Sequence, residues 1–396
     1  MPGVTAVTAP LWRPAYFSCM KSNFDLKQTP LVLIWEVTRA CDLACFHCRA
    51  SAQACRDPRE LTTEEGKKLI DDIEQLDPPI FIFTGGDPLK RPDIYELVQY
   101  AAAKGLHPAM TPSATPLLTR DSLISLKQAG LKRLALSLDG ATPAQHDAFR
   151  GVNGSFARTL DAMYWANSMD LPIQINTAVS RRNIDDLEDI LSVIKSFRIV
   201  MWSLFFMVPT GRAEAADLPS AQEFERAFAR IYKLAKNVPF KVKTTEAQHY
   251  RRYILQQRSR EKTEQGFSNG IPGVLPINEG KGFVFVSHTG EVQPSGFLPL
   301  SAGNVRHSSL QDIYRNSELF CMLRDTSNLL GKCGDCEFKE ICGGSRARAY
   351  AITGDAFTED PCCAYIPKSS NAKQLELLCS NARECPFQIE AESECK

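Results

Sequence analysis

Cys41, Cys45 and Cys48 have the spacing Cys-x3-Cys-x2-Cys and follow an apolar run that is rich in β-branched residues. Three thiolates on one short loop can bind three irons of a cubane 4Fe–4S cluster. The fourth iron then has no protein ligand, and an open coordination position is typical of a catalytic metal, by the reasoning that separates open from closed zinc sites. The spacing therefore predicts a catalytic cluster that binds another molecule at its open iron.

Zinc is the alternative occupant of this cysteine loop. A structural zinc site usually has four closed ligands, often supplied by paired Cys-x2-Cys segments. His47 could be the fourth ligand, but it is adjacent to Cys48 and therefore badly placed. The residues of the loop favour the cubane cluster.

A second cysteine group lies near the C-terminus and comprises Cys333, Cys336 and Cys342, followed by the pair Cys362 and Cys363. Its spacing could also bind zinc. The chain has 14 cysteines, shows no export signal, and packs its first trio too closely for ordinary disulfides. Metal binding in a reducing cytoplasm is therefore favoured. The other cysteines show no cluster spacing and are predicted to be unligated thiols: Cys19, Cys55, Cys321, Cys379, Cys385 and Cys395.

The composition of the 396 residues sets broad limits on the class of protein. Hydrophobic residues make up 44% of the chain, which is enough for a sizeable core. Basic and acidic residues balance at 46 each, so no global field favours nucleic acid or an anionic membrane. No apolar run is long enough to span a bilayer. We expect a cytoplasmic protein with neither nucleic acid nor membrane as a partner.

Six strand–helix units are predicted between about residues 31 and 237. The predicted strands are Leu31–Val37, Pro79–Phe83, His107–Thr111, Leu134–Leu138, Pro172–Val179 and Val200–Val208. The predicted helices are Lys67–Ile73, Asp93–Lys104, Arg120–Ala129, Ser155–Ser168, Ile184–Phe197 and Ala221–Lys236. Such alternation indicates parallel strands with helical crossovers, and six units are too few for a closed eight-stranded barrel. The expected fold class is α/β, with a partial (β/α)6 barrel of the TIM type.

The active site of such a barrel should lie where the strands end. The cysteine loop, Gly85–Asp87, Ser137–Gly140 and Gly211 all follow predicted strands, so motif positions and fold agree. After about residue 238 the pattern changes to a helix at Glu246–Arg260, a Gly/Pro-rich linker, and a hairpin around His-Thr-Gly. The predicted division is an N-terminal arm at 1–27, the barrel at 28–237, a connector at 238–281, a cysteine-rich domain at 282–367 and a tail at 368–396.

With its cysteine loop after the first strand of a partial barrel, the chain resembles the radical S-adenosylmethionine (SAM) superfamily. The resemblance implies that Cys41, Cys45 and Cys48 hold the cluster and that SAM chelates the open iron. Reductive cleavage of SAM would give methionine and a 5′-deoxyadenosyl radical, which abstracts hydrogen from a substrate. A reducing partner such as flavodoxin or ferredoxin is implied as well.

The same resemblance implies residues that contact SAM. Thr84-Gly85-Gly86-Asp87-Pro88 is similar to the Gly-Gly-Glu loop that meets the SAM amino group, with Asp87 where Glu is usual. Glycines allow close backbone approach, and a carboxylate suits an ammonium group. Further contacts are implied at Ser113, Ser137, Asp139, Arg150, Asn176 and Val208. The alternative for each is an ordinary strand-end or turn residue.

The second cysteine group resembles the C-terminal half of the SPASM extension of radical maturases. The cysteines that would build one of its two clusters are missing together, with Ser295 and Arg346 in two of their positions. The resemblance therefore implies a single auxiliary 4Fe–4S cluster, with zinc as the alternative. Its implied ligands are Cys333, Cys336, Cys342 and Cys363, since the Asp-Pro-x-Cys spacing selects Cys363 over Cys362. Arg346 and Arg348 are expected near the anionic cluster, or bound to carboxylates, or as surface charges.

Three candidate functions are consistent with the sequence. The Cys-Gly-Gly-x-Arg-Ala-Arg-Ala-Tyr segment looks like that of radical enzymes of heme-d and alternative heme biosynthesis, which modify carboxylate side chains of iron tetrapyrroles. A maturase of ribosomal peptides is the second, and a non-catalytic iron–sulfur carrier is the third. The polar and aromatic patch Thr244–Arg252 could line the substrate side of the barrel or form a solvated helix. No residue can be assigned as a catalytic acid or base.

Overall fold

The computed structural model describes residues 25–261 and 275–368. Most of the predicted arm and tail, the central part of the predicted linker, and Cys19, Cys379, Cys385 and Cys395 lie outside these residues. Within them, all ten cysteines are free thiols. None of the described helices is long and apolar enough to cross a membrane.

Ten strands form one sheet in the described part of the chain. Its strands are β1 (Val32–Glu36), β2 (Ile80–Thr84), β3 (Pro108–Met110), β4 (Arg133–Ser137), β5 (Ile173–Val179), β6 (Met201–Phe206), β7 (Lys241–Thr245), β8 (Phe283–Val286), β9 (Glu291–Gln293) and β10 (Gly303–Asn304). Their order is β10-β9-β8-β1-β2-β3-β4-β5-β6-β7. Strands β1 to β7 and β8 pair in parallel, whereas β8, β9 and β10 are antiparallel. The predicted α/β class with a parallel sheet is confirmed.

Twelve α-helices accompany the sheet in the described residues. They are α1 (Thr63–Leu76), α2 (Ile94–Ala103), α3 (Arg120–Gln128), α4 (Pro143–Arg150), α5 (Ser155–Ser168), α6 (Leu187–Ile194), α7 (Ala221–Lys236), α8 (His249–Arg260), α9 (Leu310–Asn316), α10 (Glu318–Arg324), α11 (Gly331–Gly334) and α12 (Arg346–Thr353). Capping boxes fix the starts of α1 and α7 through Thr62–Glu65 and Ser220–Glu223. The helices bury their apolar faces against one continuous core.

A seventh parallel strand, β7, extends the sheet beyond the six predicted units. It lies in the segment that was predicted to be a helical connector, and it pairs with β6 from Met201↔Lys241 to Phe205↔Thr245. Phe240 and Val242 are buried while Lys241 and Lys243 alternate with them. This period-2 pattern is the strand signal, but it spans too few residues to stand out from the helices on either side. The following helix α8 begins at His249, later than the predicted Glu246.

The C-terminal segment extends the same sheet at its other edge, beyond β1. Strand β8 pairs in parallel with β1, from Val32↔Phe283 to Trp35↔Val286, and forms the predicted hairpin with β9. Helix α9 packs on α1, where Asp72 accepts a hydrogen bond from the backbone N–H of Leu310 at 3.0 Å. The cysteine-bearing loop after β1 is therefore flanked by barrel strands on one side and by the C-terminal segment on the other.

Candidate active site and auxiliary metal centre

The loop that carries Cys41, Cys45 and Cys48 follows β1 at the carboxyl end of the sheet. Its backbone is held by three other segments. The N–H of Cys41 donates to the carbonyl of Gln53 (2.8 Å), and that of Ala44 donates to the carbonyl of Arg150 (3.0 Å). The N–H of Arg212, after β6, donates to the carbonyl of Cys48 (3.0 Å). The loop is thus fixed from both sides of the barrel mouth.

Gly85 and Gly86, directly after β2, pack against the same loop. A Cβ at Gly85 would lie 2.5 Å from the Thr38 carbonyl, and one at Gly86 would lie 2.5 Å from the Ala40 carbonyl. The N–H of Gly86 donates to the Thr38 carbonyl at 2.7 Å. Only glycine fits at these two positions, because the backbone of β2 runs against that of the cysteine loop.

The three thiols lie in a partly apolar environment with a few donors. The N–H of Leu43 donates to Cys41 Sγ and that of Ala52 donates to Cys48 Sγ, both at 3.4 Å. Arg150 Nη1 lies 3.8 Å from Cys45 Sγ. Burial raises the pKa of Cys41 and of Cys45. A bound iron would outweigh this effect, because coordination deprotonates a thiol outright.

A cavity of about 230 Å³ opens beside these thiols. Most of the residues implied by the superfamily resemblance line it: Cys41, Cys45, Cys48, Gly85, Gly86, Ser113, Ser137, Arg150, Asn176 and Val208. They come from six strands or the loops that follow them and from the end of one helix, so the barrel gathers them as the strand–helix alternation predicts. Asp87 and Asp139 are not among the lining residues.

The Asp87 carboxylate lies behind the cavity wall. It is fully buried, and its Oδ2 accepts a hydrogen bond from Thr115 Oγ1 at 2.7 Å. Its Oδ1 accepts from the N–H groups of Leu89 (3.2 Å) and Ser113 (3.4 Å). Burial raises its pKa, and these hydrogen bonds oppose the shift. A contact between Asp87 and the SAM ammonium stays a prediction; the observed contacts tie the loops after β2 and β3 together.

Asp139 is also fully buried, and it positions Arg150. Its Oδ2 pairs with the Arg150 guanidinium, and its Oδ1 accepts from the N–H of Ala178 at 2.8 Å. Burial alone would raise the pKa of Asp139, but Arg150, with smaller contributions from His47, His146 and the N–H of Ala178, lowers it overall. His146 Nδ1 accepts from the N–H of Asp139 at 3.1 Å, and burial lowers the His146 pKa to about 4, so this ring is neutral. Asp139 therefore acts on the cavity through Arg150.

Buried polar atoms without a partner among the described residues lie at the cavity wall or beside its cysteine loop. They are His47 Nδ1, Arg150 Nε, and Arg212 Nε and Nη2. Burial lowers the pKa of His47 to about 4, and its ring packs against Phe46 and Phe149. Sequence reasoning missed His47 and Arg212 as parts of this site. The sequence feature that could have identified Arg212 is its position directly after Gly211, which follows the sixth predicted strand.

These observations fit the group that the cysteine spacing implies. Three thiols face one cavity, glycines admit a close approach between loops, and several buried side-chain nitrogens have no hydrogen-bond partner in the described part of the chain. Buried donors of this kind usually have a partner, which a polar ligand would provide. The residues present therefore suit an iron–sulfur cluster with a polar, partly anionic molecule next to it.

A second, smaller cavity lies at the C-terminal cysteine group. Cys333, Cys336, Cys342 and Cys363 line it, whereas Cys362 does not. Cys362 is buried elsewhere, and its thiol donates to the Pro219 carbonyl at 3.7 Å. Burial raises the pKa of Cys342 and of Cys363 to about 12. The structure thus brings together the four cysteines that the SPASM resemblance selects.

Backbone donors converge on three of these four sulfurs. The N–H groups of Phe338, Gly344 and Asp360 lie 3.4 Å from the sulfurs of Cys336, Cys342 and Cys333, respectively. Such hydrogen bonds stabilise thiolate ligands of iron–sulfur clusters. Among the described residues, no group of three or more His, Cys, Asp or Glu side chains is arranged to hold a single metal ion. A cubane binds each thiolate to a different iron, so its ligands need not converge on one point.

The two arginines of this segment are buried and paired within the protein. Arg346 Nη2 lies 3.7 Å from Cys333 Sγ, and its Nη1 donates to the carbonyls of Ala356 and Thr358. Arg348 forms a two-pronged ion pair with Asp360 (2.9 and 2.7 Å), with both side chains fully buried. Arg346 therefore lies beside the expected cluster. Arg348 has a structural role, and neither arginine is exposed to a substrate carboxylate.

Ser295, where the full SPASM pattern has a cysteine, lies in a buried network of carboxylates. Its hydroxyl donates to Glu246 Oε1 at 3.5 Å, and Ser345 donates to Glu246 Oε2 at 2.6 Å. Burial and the neighbouring Glu279 raise the pKa of Glu246 well above its usual range. The patch Thr244–Arg252 is thus partly internal, since Glu246, His249 and Arg252 are buried. The expectation of a solvated helix is wrong there.

Comparison with known proteins agrees with this geometry. The model of the radical SAM superfamily matches residues 35–194. The AdoMet-dependent heme synthase of Methanosarcina barkeri is 40% identical over 347 residues, which cover 86% of this chain and 98% of that protein. The Fe-coproporphyrin III synthase of the same organism is 30% identical over 365 residues, covering 87% of this chain and 90% of that protein.

Peptide-modifying enzymes are similar over the same length. The PqqA peptide cyclase of Bradyrhizobium diazoefficiens is 30% identical over 362 residues, covering 88% of this chain and 89% of that protein. The crystal structure of Streptococcus suis SuiB bound to precursor peptide SuiA matches with a TM-score of 0.67 and 15% identity. It covers 85% of this chain and 76% of that chain, and at this identity the match shows the fold alone.

Proposed function

The chain belongs to the radical SAM superfamily, and from that premise we propose that it makes heme from an iron porphyrin that carries additional propionate side chains. It is an enzyme, and its family uses a 4Fe–4S cluster and SAM. The proposal concerns the substrate, the second cluster and the residue roles. We also assign it to the reducing cytoplasm, where such clusters persist.

The observation that carries the proposal is the extent of the similarity to the heme synthases. It reaches 40% identity and spans 98% of one such protein, whereas the peptide cyclase is 30% identical. Similarity over 86% of this chain extends beyond the barrel, which supports a shared C-terminal segment. Similarity restricted to residues 35–194 would have shown only the shared chemistry of SAM.

In the proposed site, Cys41, Cys45 and Cys48 hold the first cluster, and Ser113, Ser137, Arg150, Asn176 and Val208 surround SAM. The cluster and SAM supply the 5′-deoxyadenosyl radical when bound. The protein's own residues orient the molecules and exclude water. Arg150, held by Asp139, offers a fixed guanidinium to a carboxylate, and Gly85 and Gly86 set the distance between the loops.

Cys333, Cys336, Cys342 and Cys363 are proposed to hold an auxiliary 4Fe–4S cluster with no open position. The domain division is proposed at the predicted boundaries, with β7 added to the barrel. Conversion of a propionate to a vinyl group releases CO2 and removes one hydrogen atom and one electron. A fully ligated iron–sulfur cluster is the class of group that accepts one electron, and an external reductant such as flavodoxin or ferredoxin restores the first cluster.

A peptide substrate is the second candidate, supported by the similarity to the PqqA peptide cyclase. One assay separates the two. Reconstituted, reduced enzyme is given SAM with either iron coproporphyrin III or a set of small precursor peptides, and release of 5′-deoxyadenosine is followed. We expect stimulation by the porphyrin only. Stimulation by a peptide and none by the porphyrin would replace the first proposal with the second.

A further inference from the structure

Four half-buried cationic side chains of the barrel have no hydrogen bond or ion pair among the described residues: Arg133, Lys243, Lys241 and Arg212. Arg133 begins β4 and Lys243 lies in the middle of β7, and both are half-buried. Most other half-buried arginines and lysines have a carboxylate, a carbonyl or a sulfur within reach, as Lys90 and Arg324 do. Unpaired charge in a half-buried position is costly, so its retention needs a reason.

The cavity beside Cys41, Cys45 and Cys48 is called the cofactor cavity. The strand register places Lys243 on the face of the sheet that lines it. Lys243 pairs with Ser203 of β6, Ser203 pairs with Asn176 of β5, and Asn176 pairs with Ser137 of β4. Paired residues of parallel strands point to the same side of the sheet. Because Ser137 and Asn176 line the cavity, Lys243 shares their face. It lies two strands from Asn176, roughly 10 Å at the usual strand spacing.

Arg133 lies on the same face. It is four residues before Ser137 on β4, and residues two and four apart on a strand share a side. Trp202 and Thr177 show the alternation independently, since their side chains bond to each other on the opposite face at 2.9 Å. Lys241, two residues before Lys243 on β7, lies on this face as well. Among the described residues, the inner face of β4 to β7 therefore carries three unpaired cations, of which Arg133 is close enough to Lys243 to act on its charge.

Arg251, at the start of α8, is a further cation that acts on Lys243. Its Nη1 donates to the Ile341 carbonyl at 3.1 Å, next to Cys342 of the auxiliary centre. Arg251 also interacts electrostatically with the buried Glu279 and Glu246, which partly balance its charge. Burial, with the charges of Arg133 and Arg251, lowers the pKa of Lys243 to about 8.

We infer that Arg133, Lys243 and Arg251 form a binding site for a carboxylate-bearing substrate, between the cofactor cavity and the auxiliary cysteines. The inference rests on the proposed function and deepens it, by assigning residues to the propionates of the porphyrin. A carboxylate placed among three cations would relieve their mutual repulsion and make charge-assisted hydrogen bonds. None of the three lines the cavity beside the first cysteine loop, so the site is separate from the proposed SAM contacts.

The test uses the reconstituted holoenzyme and the variants Arg133→Gln and Lys243→Gln. Lys132→Gln is the matched control, because Lys132 is the exposed neighbour of Arg133. Binding of iron coproporphyrin III and of its tetramethyl ester is followed by the porphyrin absorbance, with SAM present and no reductant. We expect each variant to weaken binding of the acid by about tenfold or more, as loss of a charged pair does. Binding of the ester should be the same in all four proteins.

Thermal unfolding accompanies these measurements. Removing an unpaired cation should leave the unfolding temperature unchanged or raise it, whereas a purely structural role would lower it. The inference is overturned if both variants bind the acid as wild type does, or if wild type shows no preference for the acid over the ester. Turnover by wild type tests the proposed function separately. If wild type turns the porphyrin over but the variants bind the acid as wild type does, this inference alone is removed. If wild type binds the acid selectively but does not turn it over, the proposed function alone is removed.

Discussion

Asp87 and Thr115 are joined by a buried hydrogen bond of 2.7 Å, which connects the glycine loop after β2 to the loop after β3. The carboxylate that the sequence assigns to SAM is thus engaged with the protein. Ser113 belongs to the same unit, because its hydroxyl donates to the Gly86 carbonyl at 2.7 Å and accepts from Cys41. Asp87 shapes the wall against which the first cysteine and its proposed ligand lie.

Thr115→Val should therefore reproduce a large part of the effect of Asp87→Asn on SAM binding. Valine keeps the shape of threonine but leaves a buried carboxylate oxygen unsatisfied, at a cost of about 1–3 kcal/mol. The measurement is the Kd of SAM for the anaerobic, reconstituted enzyme. Thr63→Val is the control, because Thr63 donates to Asp93 at 2.7 Å away from the cavity. Normal SAM binding by Thr115→Val, with weak binding by Asp87→Asn, would instead indicate a direct contact.

Cys363→Ser should remove the auxiliary cluster, whereas Cys362→Ser should retain it. Of this adjacent pair, Cys363 lines the second cavity, whereas Cys362 donates to the Pro219 carbonyl. Two cubanes hold about eight irons, so iron analysis should fall to about four in the first variant and stay near eight in the second. The adjacent positions control for general damage. Equal iron loss in both variants would contradict the assignment.

Gly344→Ala should damage the auxiliary centre more than Gly354→Ala. Both glycines have positive φ (+66° and +81°), so alanine costs about 1–2 kcal/mol of backbone strain at either position. A Cβ at Gly344 would also lie 2.8 Å from Asp360 Cβ and 3.2 Å from Cys333 Sγ, while one at Gly354 meets nothing within 4 Å. Iron content and the cluster absorbance measure the difference. Equal effects would mean that strain alone matters.

Lys243 should make the stability of the enzyme rise with pH between about 8 and 10.5. Its pKa is lowered from 10.5 to about 8 in the folded chain, so the charged form costs the native state stability below pH 8. As pH rises through this window the native state loses its proton before the unfolded state does, which favours folding. The full effect is on the order of 3 kcal/mol. Unfolding temperatures of wild type should approach those of Lys243→Gln towards pH 10, and a constant difference would contradict the argument.

Much of the fold could be predicted from strong, repeated signals. Six apolar strands with intervening amphipathic helices indicate a parallel sheet, and the structure confirms that class. Strand β7 was missed because five residues with only one fully buried side chain give a weak pattern. Its identity depends on pairing with β6, a long-range contact that local periodicity does not report.

The grouping of the cysteines around two cavities could be predicted, because their spacing in the sequence reflects short-range geometry. The partners of the Asp87 and Arg348 side chains could not be predicted, since a charged side chain can face either a ligand or a buried partner in the protein. Asp87 turns to Thr115, and Arg348 turns to Asp360, which comes from a segment 12 residues away. The inner-face position of Lys243 needed the register of four strands, which the sequence does not show.

The central claim is most directly tested by following hydrogen transfer from the porphyrin. Iron coproporphyrin III deuterated on its propionate methylene groups is incubated with SAM and the reduced, reconstituted enzyme, without oxygen. The account predicts deuterium in the released 5′-deoxyadenosine, together with vinyl-bearing heme and CO2. SAM cleavage without deuterium transfer, and with the porphyrin unchanged, would contradict it.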